Sequence, residues 1–593
     1  MREKEILEQA LEDFKEAETA GADNRNTALK CIKFVDGDQW DDSIRKEREQ
    51  DNRPCLTLNK LRKFVKEVSG NIRQNKISPK VRPVDDNADV EGAKVRNELI
   101  RHIEQNSLAD DAYDNAVEQA LDGGFGYWRI ITEYAEDGFE QDIKIKRIPN
   151  RFTVYLDCSS QEYTYEDGRY AFISNVMKER EFKTKYKSKI PADWSIQSVG
   201  EGKEGWFLDN KVRLVEYFWK EPTTKEIAQL SDGSIIDFNE KIEQAIEGTG
   251  LEIIKRRYVK THKVMWAKLS GDKILEGPNE IPSKYIPIVP ICGHEVNIEG
   301  KRYYRGLIYD ALDAMRMYNY WRTHATEIVA LAPKAPFLIT PEQIQGHDAM
   351  WLDANKKNYP YLLYNQIPGL AKPTREGQTQ IPTAVVNESN FANLDIKDTI
   401  GMYEASLGQV SNERSGRAIL ARQSRSDTIT YTFIDNFAKS IAYTSKILLD
   451  MMPKVFDTER VLRLLGEDGK ELMLPLNKTI KDATTGENII INDLSQGKYD
   501  LVPTSGPKYL TRRLEAAASM LDFLQIVPMA APVIAPRLAK MMDWPEAVEI
   551  AQELNKLFGA TKEQETTPEE KEEIGGSSSP PMQGSERTSE YIE

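Results

Sequence analysis

The sequence predicts an α+β fold in which helical runs and strand-rich runs occupy separate stretches of the chain. Apolar residues recur at three- and four-residue spacings between positions 2 and 121, which indicates amphipathic helices. Between 127 and 220, short strand-like runs are separated by turn residues. Two further long helical patterns follow, the first ending at Pro333 and the second covering 417–452. Segregation of this kind is typical of the α+β class.

The N-terminal region contains a series of predicted helices. Pro79 and Pro83 fix extended backbone and end the third helix. Asp85–Asp89 is predicted to be a turn and capping cluster, and Asp110-Asp111 lies where the fifth helix begins. Carboxylates at helix starts complement the helix macrodipole, so capping is favoured over metal binding at the paired carboxylates Asp85-Asp86 and Asp110-Asp111. The predicted helices are 2–18, 23–37, 56–75, 88–106 and 109–121.

A strand-rich region begins at Gly123–Gly126. This glycine run leads into a strand and not into a helix, which predicts a bulge or tight turn in place of a phosphate cradle. A helix is predicted at 237–247, and Ser270-Gly271-Asp272 is predicted to close a hairpin. The predicted strands are 128–134, 142–147, 152–156, 170–176, 212–219, 253–259, 263–269 and 273–275.

In the stretch 277–332, an extended arm precedes a long helix. Pro287 and Pro290 lack amide hydrogens, so this apolar segment is predicted to be an edge strand or a connector. The helical pattern ends at Pro333, because the residue before a proline is biased away from helical angles. The predicted elements that follow are Pro-rich loops over 333–383, a helix at 385–407, a polar loop at 408–416, a helix at 417–452 that stops before Pro453, a β segment at 459–504, and helices at 508–526, 533–542 and 545–558.

Composition limits the class of protein. Of 593 residues, 40% are hydrophobic and 30% are charged, which is typical of a soluble protein. The four cysteines are scattered without a CxxC pair, which argues against a disulfide framework or zinc site and favours a reducing compartment. The charged N-terminus does not resemble a signal peptide, and no apolar run is long enough to span a membrane. The Glu-, Ser- and Pro-rich segment 559–593 is predicted to be a disordered acidic tail.

Sequence motifs for enzymatic chemistry are missing. The chain contains no GxxxxGK[ST] phosphate loop, no GxSxG motif and no HExxH motif. The five histidines are widely spread, so none is favoured as a catalytic or metal-binding residue. We therefore expect no enzymatic activity, no catalytic residue, and no cofactor or metal.

A basic cluster lies within the second strand-rich region. One interpretation is the exposed face of a strand or helix, and the other is a docking or DNA-facing patch. Aromatic residues are only weakly interleaved, so a stacking platform for single strands is not indicated. The residues of the cluster are Lys255, Arg256, Arg257, Lys260, His262 and Lys263.

Eight short sequence blocks, taken in order, resemble those of one protein family. Each block alone is weak, but their order along the chain is specific. The blocks are Gly37-Asp38-Gln39-Trp40; Arg53-Pro54 with Asn59; Gly70 to Asn75 with Pro79, Val81 and Pro83; Gly123 to Trp128; Ile148-Pro149-Asn150 with Asp157; 277–337; Ser415-Gly416 with Arg422-Gln423; and Tyr499-Asp500 through Gly506-Pro507. Over most of 30–530 the chain resembles the portal proteins of tailed double-stranded-DNA phages, closest to the short-tailed (podovirus) type.

The resemblance implies a phage portal fold with a wing, a two-helix stem, a β-rich clip and a helical crown. Portals of this kind are rings of identical subunits, usually twelve, at one capsid vertex. The segments implied by the resemblance are the wing in 1–236, 333–406 and 453–505, the stem helices in 237–257 and 303–332, the clip in 258–302, the tunnel loop and long helix in 407–452, and the crown in 506–558.

The same resemblance implies a function. The ring would pass double-stranded DNA during packaging and ejection, with no membrane partner. The protein would assemble in the host cytoplasm and reside in the virion. Its partners would be further copies of itself, the terminase large subunit, head completion or tail adaptor proteins, and the major capsid and scaffolding proteins. The implied tunnel-loop residues are Gln409, Ser411, Asn412, Glu413, Arg414 and Ser415, and the implied terminase-docking residues are Arg256, Arg257, Lys260 and Lys263.

Other classes of protein fit the sequence less well than a portal does. A packaging ATPase would need a phosphate loop, and a nuclease would need clustered carboxylates. A head–tail adaptor or another structural virion protein without a DNA channel is the main alternative, although adaptors tend to be shorter. The net charge of −15 fits a soluble acidic protein. It also fits a channel wall that repels duplex DNA, which carries one negative charge per about 1.7 Å of its axis.

Overall fold

The computed structural model divides the chain into two compact units, Met1–Gly506 and Pro507–Glu593. Helices and strands are both abundant, in agreement with the α+β expectation. The structure describes residues 3–74, 77–84, 89–135, 138–187, 207–208, 211–231, 235–238, 253–331, 337–354, 357, 359–375, 383–402, 416–465, 471–481, 488–494, 497–504, 520–521, 523–524, 526–541, 550–551, 553–554 and 556–557.

The first helix, α1 (Glu3–Asp36), passes through Gly21 without a break, where the sequence predicts two helices. Asn24 Nδ2 donates to the carbonyl of Arg302 at 2.9 Å, and Arg25 donates to the carbonyl of Phe152 at 2.6 Å. These tertiary hydrogen bonds offset the roughly 1 kcal/mol that a mid-helix glycine costs. The next helices are α2 (Asp42–Gln50), α3 (Leu61–Gln74), α4 (Val90–Ser107), α5 (Ala109–Gly123) and α6 (Glu179–Tyr186). Helices α2 and α6 are short and highly charged, and the sequence analysis misses both.

Two local predictions in this region are confirmed. The Asp89 carboxylate accepts a hydrogen bond from the Gly92 amide and so caps α4. Gly124 has a φ of +93° and makes the tight turn between α5 and the following strand. A Cβ atom at this glycine would lie 2.6 Å from the backbone oxygen of Tyr304, so a side chain is excluded there.

The strand-rich region forms two antiparallel sheets. The first has the order β10-β9-β7-β5-β4, with β6 and β8 also paired to β7, and the second has the order β11-β2-β3. The strands are β1 (Ser78–Pro83), β2 (Phe125–Tyr134), β3 (Gln141–Arg147), β4 (Val154–Leu156), β5 (Tyr170–Lys178), β6 (Phe207–Leu208), β7 (Lys211–Leu230), β8 (Ile235–Asp237), β9 (Ile253–Leu269), β10 (Ile274–Glu280), β11 (Ile288–Cys292), β12 (His294–Ile298) and β13 (Lys301–Arg305).

The stem helix expected at 237–257 is wrong in its described parts. Residues 235–237 and 253–257 are strands, and both segments pair with β7. The strand predicted at 253–259 is confirmed, and it conflicts with the stem helix that the resemblance implies there. The helix predicted at 237–247 lies outside the described residues except at 237 and 238. The β-rich clip expected at 258–302 is not a separate module either, because β9 pairs with β7 and β11 pairs with β2.

Strand β11 confirms the prediction made from its prolines. It lies at the edge of its sheet, with Pro290 opposite Tyr127 of β2. Strands β12 and β13 follow as a hairpin, so the residues from 303 to 305 are strand and not helix. The long helix expected from 303 begins only after a 3-10 turn at Tyr309–Ala311.

The remaining elements of the first unit combine long helices with short strand pairs. They are α7 (Leu312–Leu331), β14 (Phe337–Leu338), α8 (Pro341–Ile344), α9 (Asp348–Leu352), β15 (Thr374–Arg375), α10 (Thr383–Ile400), α11 (Gly416–Val455), β16 (Arg460–Leu465), β17 (Glu471–Leu476), β18 (Lys478–Lys481), β19 (Asn488–Ile491) and β20 (Tyr499–Thr504). Helix α11 includes Pro453 and continues two residues beyond it, so the predicted stop before this proline is wrong. A proline in the last turn removes only one hydrogen bond, which packing of the buried Val455 and Phe456 offsets.

In the second unit, a 3-10 turn at Pro528–Ala530 leads into α12 (Ala531–Met541), close to the helix predicted at 533–542. The described positions in 520–526 and 550–557 are also helical. The predicted acidic tail, 559–593, lies outside the described residues.

The main core of the first unit lies where α3, α4 and α5 meet α7, α10 and α11. Its fully buried members include Leu61, Leu99, Trp128, Met315 and Ile447. This core therefore joins residues from both ends of the unit, and it fixes the long helices that carry the surfaces described below. None of the described helices is long and apolar enough to cross a membrane.

Candidate assembly and docking surfaces

Helices α7 and α10 lie side by side, although about 50 residues separate them in the sequence. Each buries one face in the main core, through Leu312 and Met315 of α7 and Ile396 and Ile400 of α10. The small elements β14, α8, α9 and β15 lie between the two helices in the chain. The fold therefore contains a packed helix pair that brackets a small module.

A buried polar stripe attaches α7 to the N-terminal region. Its residues are Asn319, Thr323 and Glu327, spaced four apart and therefore on one face of the helix. Asn319 Oδ1 accepts from the Leu58 amide at 2.9 Å, and Thr323 Oγ1 accepts from the Leu56 amide at 3.2 Å. An extended segment without strand partners thus has its backbone donors satisfied by side chains of a helix.

Glu327 ends this stripe in an ion cluster. Its carboxylate accepts from Arg48 at 2.8 Å and from two nitrogens of Arg53 at 2.9 and 3.1 Å. Glu327 and Arg48 are buried, whereas Arg53 is partly exposed. The hydrogen bonds from Arg53, followed by those from Arg48, hold the pKa of the Glu327 carboxyl below its ordinary value. The carboxylate is therefore ionised at neutral pH.

Two of the blocks that carry the family resemblance meet at this stripe. Gln39, from the first block, accepts a hydrogen bond from Asn319 Nδ2 at 2.6 Å. Arg53, from the second block, binds Glu327 as described above. The carbonyl of Pro54 accepts from buried Arg48 at 3.0 Å. Residues that are distant in the sequence therefore share one structural task, which is to fix the position of α7.

A second buried polar stripe lies on α11, where it covers the edge strand β11. Asn436 Nδ2 donates to the carbonyls of Cys292 and Gly293 at 3.2 and 3.0 Å, and Ser440 Oγ donates to that of Pro290 at 2.7 Å. Thr444, one turn further on, accepts from Trp128 Nε1 at 3.0 Å. An unpaired strand edge is a site of unwanted pairing, and this helix occupies it.

Replacing Asn436 by leucine is expected to destabilise the first unit by about 1–3 kcal/mol, because the carbonyl of Gly293 loses this donor, whereas that of Cys292 keeps the hydrogen bond from the Tyr163 hydroxyl. Chemical denaturation followed by tryptophan fluorescence would measure the change. The matched control is Asp435→Asn on the same helix, where an exposed ion pair with Lys439 contributes less than about 1 kcal/mol. Equal effects of the two substitutions would contradict the proposed role of Asn436.

The outward side of the α7–α10 pair is unusually apolar. Large hydrophobic side chains are about half exposed on both helices, and Tyr320 stacks on His324 with ring centroids 6.3 Å apart. Exposed apolar area of this extent on a soluble protein is typical of a surface that contacts another protein. The residues are Met317 and Tyr320 of α7 and Val386, Phe391 and Leu394 of α10. We call this set the apolar stem face.

The predicted docking residues all lie on strand β9, and they are distributed over both of its faces. Arg256 and Lys260 share one face of the β7–β9 pair, and Arg257 and Lys263 share the other, since alternate residues of a strand point to opposite faces. The Arg256 guanidinium lies 4.0 Å from the ring centroid of Phe238, and Lys263 binds Glu280 at 2.7 Å. The sequence cluster is therefore two pairs of cations and not one patch.

The predicted tunnel-loop residues Gln409, Ser411, Asn412, Glu413, Arg414 and Ser415 lie outside the described residues, and α11 begins directly after them at Gly416. In the part of the chain that the structure describes, no group of three or more His, Cys, Asp or Glu side chains is placed to hold a metal ion. The exposed apolar and basic surfaces are the features of the described residues that call for a function.

Exposed apolar and basic surfaces are typical of a protein that contacts other macromolecules. The chain matches the model of the phage P22-like portal protein family over residues 11–586, and it belongs to that family. It is also 25% identical over 547 residues to a portal protein of Acyrthosiphon pisum secondary endosymbiont phage 1, an alignment that covers 87% of this chain and 75% of the relative. The resemblance inferred from the eight sequence blocks is confirmed. The family is structural and belongs to the phage capsid.

Proposed function

We propose that the chain assembles into a ring at one capsid vertex, through which double-stranded DNA is packaged and ejected. Family membership and the apolar stem face support this proposal. The terminase large subunit and the head completion or tail adaptor proteins would dock on the assembled ring. The tunnel-loop residues between α10 and α11 would line its channel.

We further propose that α7 and α10 are the two stem helices and that the segment 337–375 between them is the clip. This proposal replaces the expected stem helices at 237–257 and 303–332 and the expected clip at 258–302. It is supported by the packing of α7 on α10 and by the small module that they bracket. The docking role of Arg256, Arg257, Lys260 and Lys263 stays a prediction, and the strand that carries them is not part of this new clip.

The apolar stem face is the single observation that carries the ring proposal. In a cyclic ring each subunit contacts its neighbour through two different surfaces. Burying half-exposed side chains such as Phe391 and Leu394 gains about 25 cal/mol per Å² of apolar area. The same side chains left in water would favour aggregation. Contact with a second copy of the chain, which would bury them, is therefore the best explanation of this face.

Replacing both Phe391 and Leu394 by aspartate is therefore expected to abolish ring formation and leave folded monomers. Negative-stain imaging would show the wild-type rings with a central hole, and light scattering would give the mass of each species. The control is Val90→Asp with Phe139→Asp, which adds the same charge at exposed apolar residues outside the stem pair. Normal rings from the stem variant would exclude this face as the contact. A wild-type chain that never forms rings would favour the adaptor alternative.

A further inference from the structure

The outer half of the β7–β9 pair is an exposed, positively charged ribbon on an acidic protein. Its residues, 220–230 and 253–263, are antiparallel partners and include seven Lys or Arg against two Glu, a formal charge of +5. The whole chain has a charge of −15. The residues 254–258 are exposed on both faces of the strand. We call these two segments the basic ribbon.

We propose that the basic ribbon binds the phosphate backbone of duplex DNA on the outside of the protein. The ribbon has ten residue pairs and is about 33 Å long, with β7 and β9 about 4.8 Å apart. Strand β8 adds a third strand beside Ile227–Gln229, so the two-stranded part is 221–226 paired with 258–263. The major groove of B-DNA is about 12 Å wide and admits a two-stranded ribbon. Because the cations project from both faces, they can approach the phosphates on both sides of the groove.

Arg257 and Lys260 are the residues on which the proposal depends most directly. They lie on opposite faces, and within the described residues neither of them forms an ion pair. The acidic residues of the ribbon lie elsewhere along it, with Glu221 opposite the paired Lys263 and Glu226 opposite Tyr258. The positive charge at these two positions is therefore available for a polyanion.

Charged residues on this strand have another explanation, since they also protect a strand edge from pairing with other chains. Edge protection requires charge but not a particular sign. Nine of the ribbon's residues are charged and seven of these are positive, which favours an anionic partner. Reversing the sign of the charge separates the two explanations, because a glutamate protects an edge as well as a lysine does.

The test is binding of the full chain to relaxed, covalently closed circular DNA, which has no end to pass through a ring. The variants are Arg257→Glu with Lys260→Glu, and Arg257→Gln with Lys260→Gln. Each phosphate contact contributes about 0.9 to the slope of log K against log salt concentration, so both variants are expected to lower the slope by about two. The control, Lys66→Glu with Lys94→Glu, changes the same charge on exposed helical residues and should leave the slope unchanged.

Several results would overturn the proposal. An unchanged slope in the reversed-charge variant, or an equal loss in the control, would show that the ribbon makes no specific phosphate contacts. Unchanged DNA binding together with loss of terminase in a pull-down would identify a protein partner instead. Normal rings in negative-stain images of the same variants would show that none of these outcomes reflects failed assembly.

Discussion

Replacing Trp128 by alanine is expected to lower the free energy of unfolding of the first unit by about 3–5 kcal/mol. Trp128 is completely buried at the centre of the main core, in the middle strand of the β11-β2-β3 sheet. Its ring meets Tyr113 edge-on at 5.1 Å, and its indole N–H donates to Thr444. Alanine would leave a cavity between a strand and two helices that are fixed by other contacts, so the site has little scope to collapse.

Chemical denaturation of dilute protein, followed by circular dichroism, would measure this effect. Trp128→Phe separates the two contributions, because phenylalanine keeps most of the apolar contact but removes the hydrogen bond. We expect it to cost about 1–2 kcal/mol. Tyr134→Ala, on the exposed end of the same strand, should change the stability by less than about 0.5 kcal/mol. A cost for the alanine variant as small as that of the Tyr134 control would show that the site relaxes fully.

The sequence predicts well those elements whose signals are local. The helix expected at 88–106 spans Val90–Ser107 and is capped by Asp89 as expected. Pro287 and Pro290 predict an edge strand or a connector, and Pro290 lies in the edge strand β11, because a missing amide hydrogen acts on the backbone directly. The predicted hairpin turn at Ser270-Gly271-Asp272 joins β9 to β10.

The sequence fails where contacts between distant residues decide the structure. Helix α1 crosses Gly21 because Asn24 and Arg25 donate hydrogen bonds to backbone carbonyls far along the chain. The packing of α7 on α10 could not be found from periodicity, because a small module separates the two helices in the chain and their contact is a tertiary property. A signal was present nonetheless: Asn319, Thr323 and Glu327 recur every four residues on an otherwise apolar face.

The surfaces were predicted less well than the elements. The basic cluster was found from composition alone, but its division between two faces depends on the register of β9 against β7. The apolar stem face was not predicted from the sequence. Exposure of Phe391 and Leu394 is visible only once the buried face of α10 is known.

The second large effect is expected at Glu327. Replacing it by glutamine keeps its size but leaves the buried Arg48 guanidinium without its anion. Loss of one partner from a buried ion pair costs 3–5 kcal/mol in general. We expect about 3 kcal/mol here, because Arg53 is partly exposed and regains water. On the same helix, Asp313→Asn removes an exposed pair with Arg316 and should cost less than about 1 kcal/mol.

The pH dependence identifies this effect as one of charge. The folded-state pKa of Glu327 is lowered by its two arginines, so its stabilising contribution is present above the unfolded pKa and is lost as the pH falls through the folded value. The stability difference between wild type and Glu327→Gln should therefore be largest near neutral pH and shrink below about pH 4.3. Hydrogen exchange of the Leu56 and Leu58 amides should quicken in the variant, because the same stripe binds them. A stability difference that does not change between pH 7 and pH 3 would show that packing, and not the carboxylate charge, fixes α7 in place.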